Sequence, residues 1–327
     1  VHNIMQQQFQ IDEFKAQLDI LAVASELGVL PDKRSGSCYE GDCPTGHESD
    51  SHRCFVIWPE TQSWHCFSCG RGGDLINLVM VKQEVDFIEA CNWLADRFDL
   101  PRLATQQMSP EELEAYETQI AERRLIFDIL TEAARFYHKS LLADSEMLDH
   151  LRNNYGLCDE TIKTHLIGYS TGEGLYKHLK EKGFEGDLLR TGLFGIVKLQ
   201  GLKEFFQHRI VFPYWNGGKF VYFAGRKTDR TPDVEWENGK YKKLPIHSKE
   251  RNSVSEHITN SWLFGEDSIR GAENIYVAEG ITDCLAMLQA GYPTISPGTT
   301  RFNNKDLPRL EKLASNANAI YLVPDAE

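Results

Sequence analysis

"CPTGHESDSHRCFVIWPETQSWHCFSCGRGGD", residues 43–74, gathers four cysteines and three histidines into one short run. Disulfides, reactive thiols and a metal site are the three chemistries such a run can carry. A disulfide framework suits a small secreted domain. This chain has 327 residues, and its opening "VHNIMQQQFQIDEFKAQ" lacks the apolar core of a secretory leader. Clustered Cys and His in a long chain of that kind point to metal. The knuckle Cys66-Phe-Ser-Cys69 can set two thiolates on one Zn²⁺, and Cys43-Pro-Thr-Gly-His47 supplies the other half-site most economically. Between the halves, "RCFVIWPETQSWHCF" alternates as paired strands do. The expectation is a zinc ribbon with ligands Cys43, His47, Cys66 and Cys69, in which four protein ligands leave the metal a structural role. Cys38, Cys54, His52 and His65 are the spare candidates. Cys91, Cys158 and Cys284 lie in apolar surroundings and read as small core hydrophobes.

Working outward, 327 residues exceed the roughly 100–200 of one domain, so more than one core is expected. No apolar run approaches the roughly 20 residues that span a bilayer, so no membrane partner is expected and a cytoplasmic location is. The chain opens on Val1 and closes on the strand-like "IYLVPDAE", which reads as a piece of a longer protein. After the knuckle, "GDLINLVMVKQ" and "FIEACNWLADRF" carry apolar residues at helical spacing, and both helices can pack on the ribbon.

The order "IDEFKAQLDILAVASELGVLPDKRSGSCYEGDCPTGH", "WHCFSCGRGGDLINLVM", "FIEACNWLADRFDL" resembles the zinc-binding domain of the bacterial and phage DnaG-type DNA primases over roughly the first hundred residues. One departure is local: three residues separate Cys43 from His47, where that family usually has two.

Residues 101–130 then turn polar and charged, with a helix start at Ser109-Pro110-Glu111-Glu112. The polar stretch reads as a linker over 104–125, and the resemblance implies a zinc-binding domain over 1–103 before it, the N-terminal basic part of an RNA-polymerase domain over 126–270 after it, and an incomplete Toprim domain over 271–327. A helical stretch runs through "FDILTEAARFYHKSLL" to "DHLRNNYGLCDETIKTHLIGYS", with Leu151, Tyr155, Ile162 and Leu166 as its buried stripe.

The net charge of −13 argues at first against a nucleic-acid partner, because phosphate binding rests on Lys and Arg. Residues 198–251, however, hold twelve Lys and Arg against six Asp and Glu. There "FFQHRIVFPYWNGGKFVYFAGRK" and "NGKYKKLP" alternate between Gly-containing turns as antiparallel strands do, with Arg209, Arg226, Lys227, Lys242 and Lys243 on or beside them. One such charge alone reads as well as a solvated face. As a set they resemble the primase family's basic ridge, which implies that they bind template and nucleotide phosphates, Arg209 and Arg226 being the nearest matches by wording.

Residues 274–327 run strand, helix, strand, helix, strand. That order predicts right-handed crossovers and a parallel sheet whose working edge lies at the carboxyl ends of the strands. Glu279, Asp325 and Glu327 then converge on one edge, and such a set of hard oxygen ligands selects Mg²⁺ or Mn²⁺. Glu279-Gly280-Ile281-Thr282-Asp283 is similar to the glutamate motif of Toprim domains, and Asp325-Ala326-Glu327 stands where they carry Asp-x-Asp. Asp283 reads equally as a supporting acid or as an N-terminal helix residue that favours the dipole.

The fold expected is therefore multidomain: a zinc ribbon with helices, an α+β basic domain, and an α/β Toprim domain with a parallel sheet. The resemblance implies a DNA primase that makes short RNA primers on single-stranded DNA from ribonucleoside triphosphates. It implies structural Zn²⁺, catalytic Mg²⁺ or Mn²⁺, action at the replication fork on the nucleoid, and a replicative helicase as partner through a missing C-terminal region. No Ser-His-Asp set, nucleophilic Cys or P-loop stands in the sequence. The rival readings are another Toprim enzyme of the nuclease or topoisomerase kind, and a non-catalytic DNA-binding module that retains the fold.

Overall fold

The computed structural model of the chain describes residues 10–45, 53–103, 110–197, 201–298, 306–314 and 317–324. Its first unit is a five-stranded antiparallel meander, β1 (Lys33–Ser35), β2 (Cys38–Gly41), β3 (Phe55–Trp58), β4 (Ser63–Cys66) and β5 (Gly72–Gly73), paired in that order. Helix α1 (Ile20–Glu26) precedes the sheet, and α2 (Leu75–Gln83) and α3 (Phe87–Phe98) follow it. Both later helices open on capping boxes. Asp74 accepts from the Ile76 and Asn77 amides while Asn77 answers to the Asp74 amide, and Asp86 and Glu89 repeat the exchange. Each closes on a left-handed residue, Glu84 or Asp99. Helix α3 buries Ala90, Cys91, Leu94, Ala95 and Phe98 against Phe55, Ile57, Trp64, Leu78 and Val79; of the stripe Phe87, Ile88, Cys91, Leu94 and Ala95 that the helical spacing suggests, Cys91, Leu94 and Ala95 are in the core, Phe87 packs at its margin and Ile88 is exposed.

Helix α4 (Pro110–Leu142) is 33 residues long. It takes in residues 110–125, where the sequence suggested a linker; residues 104–109 lie outside the described residues. The reason is burial: Ile120, Arg123, Ile126, Phe127, Leu130, Ala134, Tyr137 and Leu141 are covered along its length. Arg123 donates to Gln17 at 2.6 Å and Ser255 donates to Glu122 at 2.7 Å, so the helix is tied to the zinc-bearing unit and to the later loop alike.

Helices α5 (Ser145–Tyr155) and α6 (Asp159–Thr164) follow, with Leu151 and Ile162 buried and Tyr155 and Leu166 packed at the margin of the core. The end of the stretch read as helical becomes strand β6 (Gly168–Ser170). After α7 (Leu175–Glu181) and the hairpin β7 (Phe194–Val197) and β8 (Gly201–Glu204), the basic segment forms β9 (Arg209–Asn216), β10 (Lys219–Lys227) and β11 (Tyr241–Lys243). Their antiparallel sheet has the order β11-β10-β9-β6. Gly217 and Gly218 make the two-residue turn between β9 and β10 with φ of 59° and 78°, a conformation that suits the twist of the hairpin and that glycine adopts without strain.

The last unit is the predicted parallel sheet. β12 (Asn274–Ala278), α8 (Ile281–Gln289), β13 (Thr294–Ile295), α9 (Leu307–Leu313) and β14 (Ala319–Val323) alternate along the chain, and the strand order is β13-β12-β14. Ala278 lies opposite Val323, so β12 and β14 end at the same edge.

The units are joined by charge as well as by apolar contact. Glu26 of α1 receives Arg97 and Arg270, Arg270 also donates to Asp267 at 2.9 Å, and its guanidinium lies over the Phe98 ring at 4.3 Å. Asn216 reaches the Phe98 carbonyl at 2.9 Å, and the Asp19 amide donates to the Gly217 carbonyl at 3.0 Å. No helix of the described residues is long and apolar enough to cross a membrane.

Candidate metal centre and nucleotide-binding face

Strand β2 leads into Cys43, strand β4 ends on Cys66, and the tight turn after it returns Cys69. The Gly70 amide donates to the Cys66 carbonyl at 2.9 Å and the Cys69 amide points at the Cys66 sulfur at 3.5 Å. The ligand atoms of Cys43, Cys66 and Cys69 all lie within 4.8 Å of one another, and the Cys43 and Cys69 sulfurs are 3.8 Å apart. Two thiolates bound to one tetrahedral Zn²⁺ at about 2.3 Å would be separated by about 3.8 Å, so the donor set fits that ion. Burial raises the Cys66 thiol, but amides of Cys69 and Ser68 and the neighbouring thiols more than offset it, and its pKa falls to about 7. Cys43 moves the other way, to about 11, mainly through burial.

Among the described residues only these three thiols form such a group. His47 and His52 lie outside the described residues. Cys54 is packed into the apolar core, Cys38 donates to the Ser35 carbonyl at 3.1 Å, and the His65 ring stands edge-on to Phe67 at 4.9 Å. Of the nearby aromatics, Trp64 is buried with its indole N–H on the Asp74 carbonyl, whereas Phe67 is 67 % exposed beside Trp58.

At the far end of the chain, Glu279 follows directly on β12 at the shared edge of the parallel sheet, and its own side chain is half-buried. The Asp283 carboxylate folds back over Gly280, so close that a Cβ there would stand 2.1 Å from one of its oxygens and would push that side chain aside. Asp283 is exposed in the first turn of α8. Fully buried Ser296 donates to the Glu279 carbonyl at 2.8 Å and accepts from the Gly298 amide at 2.9 Å, which fixes the backbone that carries the glutamate. Asp325 and Glu327 lie outside the described residues.

The basic strands face this edge unevenly. Arg226 opposes Tyr241 across β10 and β11 and donates to its phenol at 2.8 Å, and among the described residues no carboxylate pairs with it. Lys243 reaches the Pro297 carbonyl at 3.3 Å, which brings β11 against the loop after β13. Lys227 makes a long contact of 3.4 Å to Asn238. Arg209 departs from the expectation of a phosphate ligand. It is fully buried, its guanidinium donates to the Glu237 carboxylate at 3.0 Å and to the carbonyls of Gly225, Glu237 and Gly239, and in this arrangement it braces the sheet. Lys242 is likewise engaged: burial lowers its pKa, and its ammonium pairs with Glu237 and lies 4.2 Å from the Phe205 ring. Glu237, which neutralises two of the five expected cations, escaped the sequence reading. Nothing in "EWENGKYKK" separates Glu237 from its neighbour Glu235, which is exposed; only the fold shows which of the two acids is buried against the cations. Ser296 and Tyr241 were also missed, because neither side chain announces its role without the fold.

Residues 6–109 match the family described as CHC2 zinc finger, and residues 136–252 match the DNA primase catalytic core, N-terminal domain. A DNA primase of Synechococcus elongatus is 29% identical over 327 aligned residues, covering 96% of this chain and 44% of the relative; one of Clostridium acetobutylicum is 26% identical, covering 97% and 50%. The chain thus spans about half the length of the curated relatives it matches. Among solved structures, the zinc-binding and RNA-polymerase domains of the Aquifex aeolicus primase align with a TM-score of 0.55 at 25% identity, covering 97% of this chain and 72% of that one. The RNA-polymerase domain of the Mycobacterium tuberculosis primase shares the fold at 23% identity and a TM-score of 0.52, over 62% of this chain and 66% of its own. A zinc finger and the N-terminal domain of a primase catalytic core are thus matched along one chain, which is similar over both to the DnaG-type DNA primases.

Proposed function

We propose that this chain carries out the template-directed nucleotidyl transfer of a DNA primase, joining ribonucleotides on single-stranded DNA. The observation that carries the reading is the register of β12 on β14, which ends both strands at one edge: Glu279 follows the first directly and Asp325 follows the second after one residue. Glu279, Asp325 and Glu327 would hold Mg²⁺ or Mn²⁺ there. Such ions, when bound, supply an activated 3′-hydroxyl and charge stabilisation on the departing pyrophosphate.

The chain's own residues supply placement. Arg226, with Lys243 and Lys227 nearby, offers positive charge to the triphosphate and template, and Ser296 holds the Glu279 backbone. Asp283 supports the same turn. At the other end, His47 would complete the zinc site with Cys43, Cys66 and Cys69, and exposed Phe67 offers a face on which an unpaired base can stack. A Mycobacterium tuberculosis RNA-polymerase domain of the same fold, 24% identical to this chain, was solved in complex with double-stranded DNA. A helicase partner and a place at the replication fork belong to the same proposal.

The test is primer synthesis by the full-length gene product on single-stranded DNA with ribonucleotides and Mn²⁺. Glu279→Gln is expected to cut the rate by at least about a hundredfold, because the transition state loses charge stabilisation that water cannot restore, while single-stranded DNA binding stays near the parent value. Primer synthesis by Glu279→Gln at the parent rate would remove Glu279 from the chemistry and the reading with it.

A further inference from the structure

Arg226 is held in an unusual way for a cation proposed to meet phosphate. Its guanidinium lies over two aromatic rings, 4.7 Å from the centroid of Tyr155 on α5 and 5.4 Å from that of Tyr241 on β11. Stacking of this kind uses the flat face of the guanidinium and leaves its edge for hydrogen bonds. Part of that edge is used on the Tyr241 phenol, at 2.8 Å. The phenol in turn lies against the Thr282 hydroxyl in the first turn of α8, and burial keeps the phenol protonated. Thr282 belongs to the turn Gly280–Asp283 that immediately follows Glu279. Tyr241 therefore touches both the strand pair that carries Arg226 and the helix start that carries the glutamate motif. Tyr155 closes the stack from a third element and is itself set by His150, whose ring stands edge-on to it at 5.5 Å.

We propose that Tyr241 is a positioning residue: it keeps the Arg226 guanidinium in register with the turn after Glu279, so that a phosphate on Arg226 and a metal ion on Glu279 meet on the same triphosphate. This rests on the reading of the site as a nucleotidyl-transfer centre. Tyr241 makes no contact with the reacting atoms in this scheme. Its phenyl ring has a packing role too, against Phe212 at 6.4 Å, so the hydroxyl is the group to remove.

ATP binding to the chain is measured with Mn²⁺ and with EDTA, and the ratio of the two affinities reports how well metal and cation act on one ligand. Tyr241→Phe keeps the ring and is expected to lower that ratio about tenfold, with the EDTA affinity within about twofold of the parent and the melting temperature unchanged. Arg226→Ala should weaken binding under both conditions, and adding Tyr241→Phe to it should cost nothing more, since both act through one contact. Thr282→Val, which leaves Tyr241 and Arg226 intact, should reproduce the lower ratio and decides the matter if Tyr241→Phe fails to fold. A parent-like ratio in Tyr241→Phe, or in Thr282→Val where that variant decides, overturns the positioning role. Absence of Mn²⁺-dependent ATP binding in the parent itself, and not only in the variants, overturns the nucleotidyl-transfer reading and the positioning role together.

Discussion

Cys66 and Cys54 are both buried thiols in one small unit, yet they differ in what surrounds them. Cys66 receives backbone amides and stands in a group of three sulfurs, whereas Cys54 is packed in the apolar core. The first arrangement favours a thiolate and the second a neutral small hydrophobe. Cys69→Ser and Cys66→Ser are therefore expected to release zinc from a chain that otherwise holds about one ion, and Cys54→Ser to retain it, as read by metal analysis after gel filtration. Full zinc content in Cys69→Ser would dissolve the assignment. At this scale the sequence was legible where spacing encodes geometry: a C-x-x-C knuckle is a metal clip before any fold is known. It was opaque where a residue's role depends on a partner far along the chain. Arg209 lies 28 residues from Glu237, and nothing local distinguishes a cation paired inside a sheet from one that faces solvent.

At the scale of the element, helix α7 shows a cap borrowed from elsewhere. Its N-cap Gly174 offers no side chain, and Glu204 of β8 accepts from the Leu175 amide at 2.7 Å instead. Burial raises the Glu204 pKa to about 7 from an ordinary 4.5, the backbone amides only partly opposing it. Burial, and after it the Glu204 charge, lift the enclosed Tyr137 phenol well above its ordinary range. The folded chain holds the Glu204 proton up to about pH 7 while the unfolded chain releases it near 4.5, so folding takes up a proton between those values. The stabilisation from the protonated carboxyl is complete below about pH 4.5 and lost as pH rises through 7. Relative to Glu204→Gln, which is neutral throughout, the parent is expected to lose up to about 3 kcal/mol between pH 4.5 and 8 in urea unfolding. A constant difference across that range would show Glu204 to be ionised in the fold. The elements themselves were largely legible, because helical apolar spacing, alternating strands and Gly-containing turns are local signals. Strand β6 was not: "GYS" is an edge strand because it pairs with β9, and its sequence alone continues a helical stretch.

The whole molecule adds what no element contains, a joint between the zinc-bearing unit and the rest. Glu26 and Arg270 are each 3 % exposed and lie 244 residues apart, and the pair is completed by Arg97, Asp267 and Asn216. A second pairing, Arg309 and Lys312 on Asp99, joins α9 to the end of α3. A buried ion pair is weak evidence of net stability, but removing one partner strands the other, at a cost of about 3–5 kcal/mol. Arg270→Met keeps the contact with Phe98 apolar while leaving Asp267 and part of Glu26 without their cation. It is expected to lower global stability by that amount, with little relief from added salt because the pair is shielded from the screening ions. It should also split the unfolding. In the parent, the metal-bound ribbon and the sheets beyond it share an interface, so removing zinc with a chelator should lower the melting temperature of the single transition. In Arg270→Met the two units are coupled less, and the chelator should melt residues 10–103 in a separate, earlier step, followed through Trp58, Trp64 and Trp93. A single transition in the variant, shifted by chelator as far as in the parent, would mean that the apolar contacts and the Gly217–Gly218 turn hold the units together without the charges.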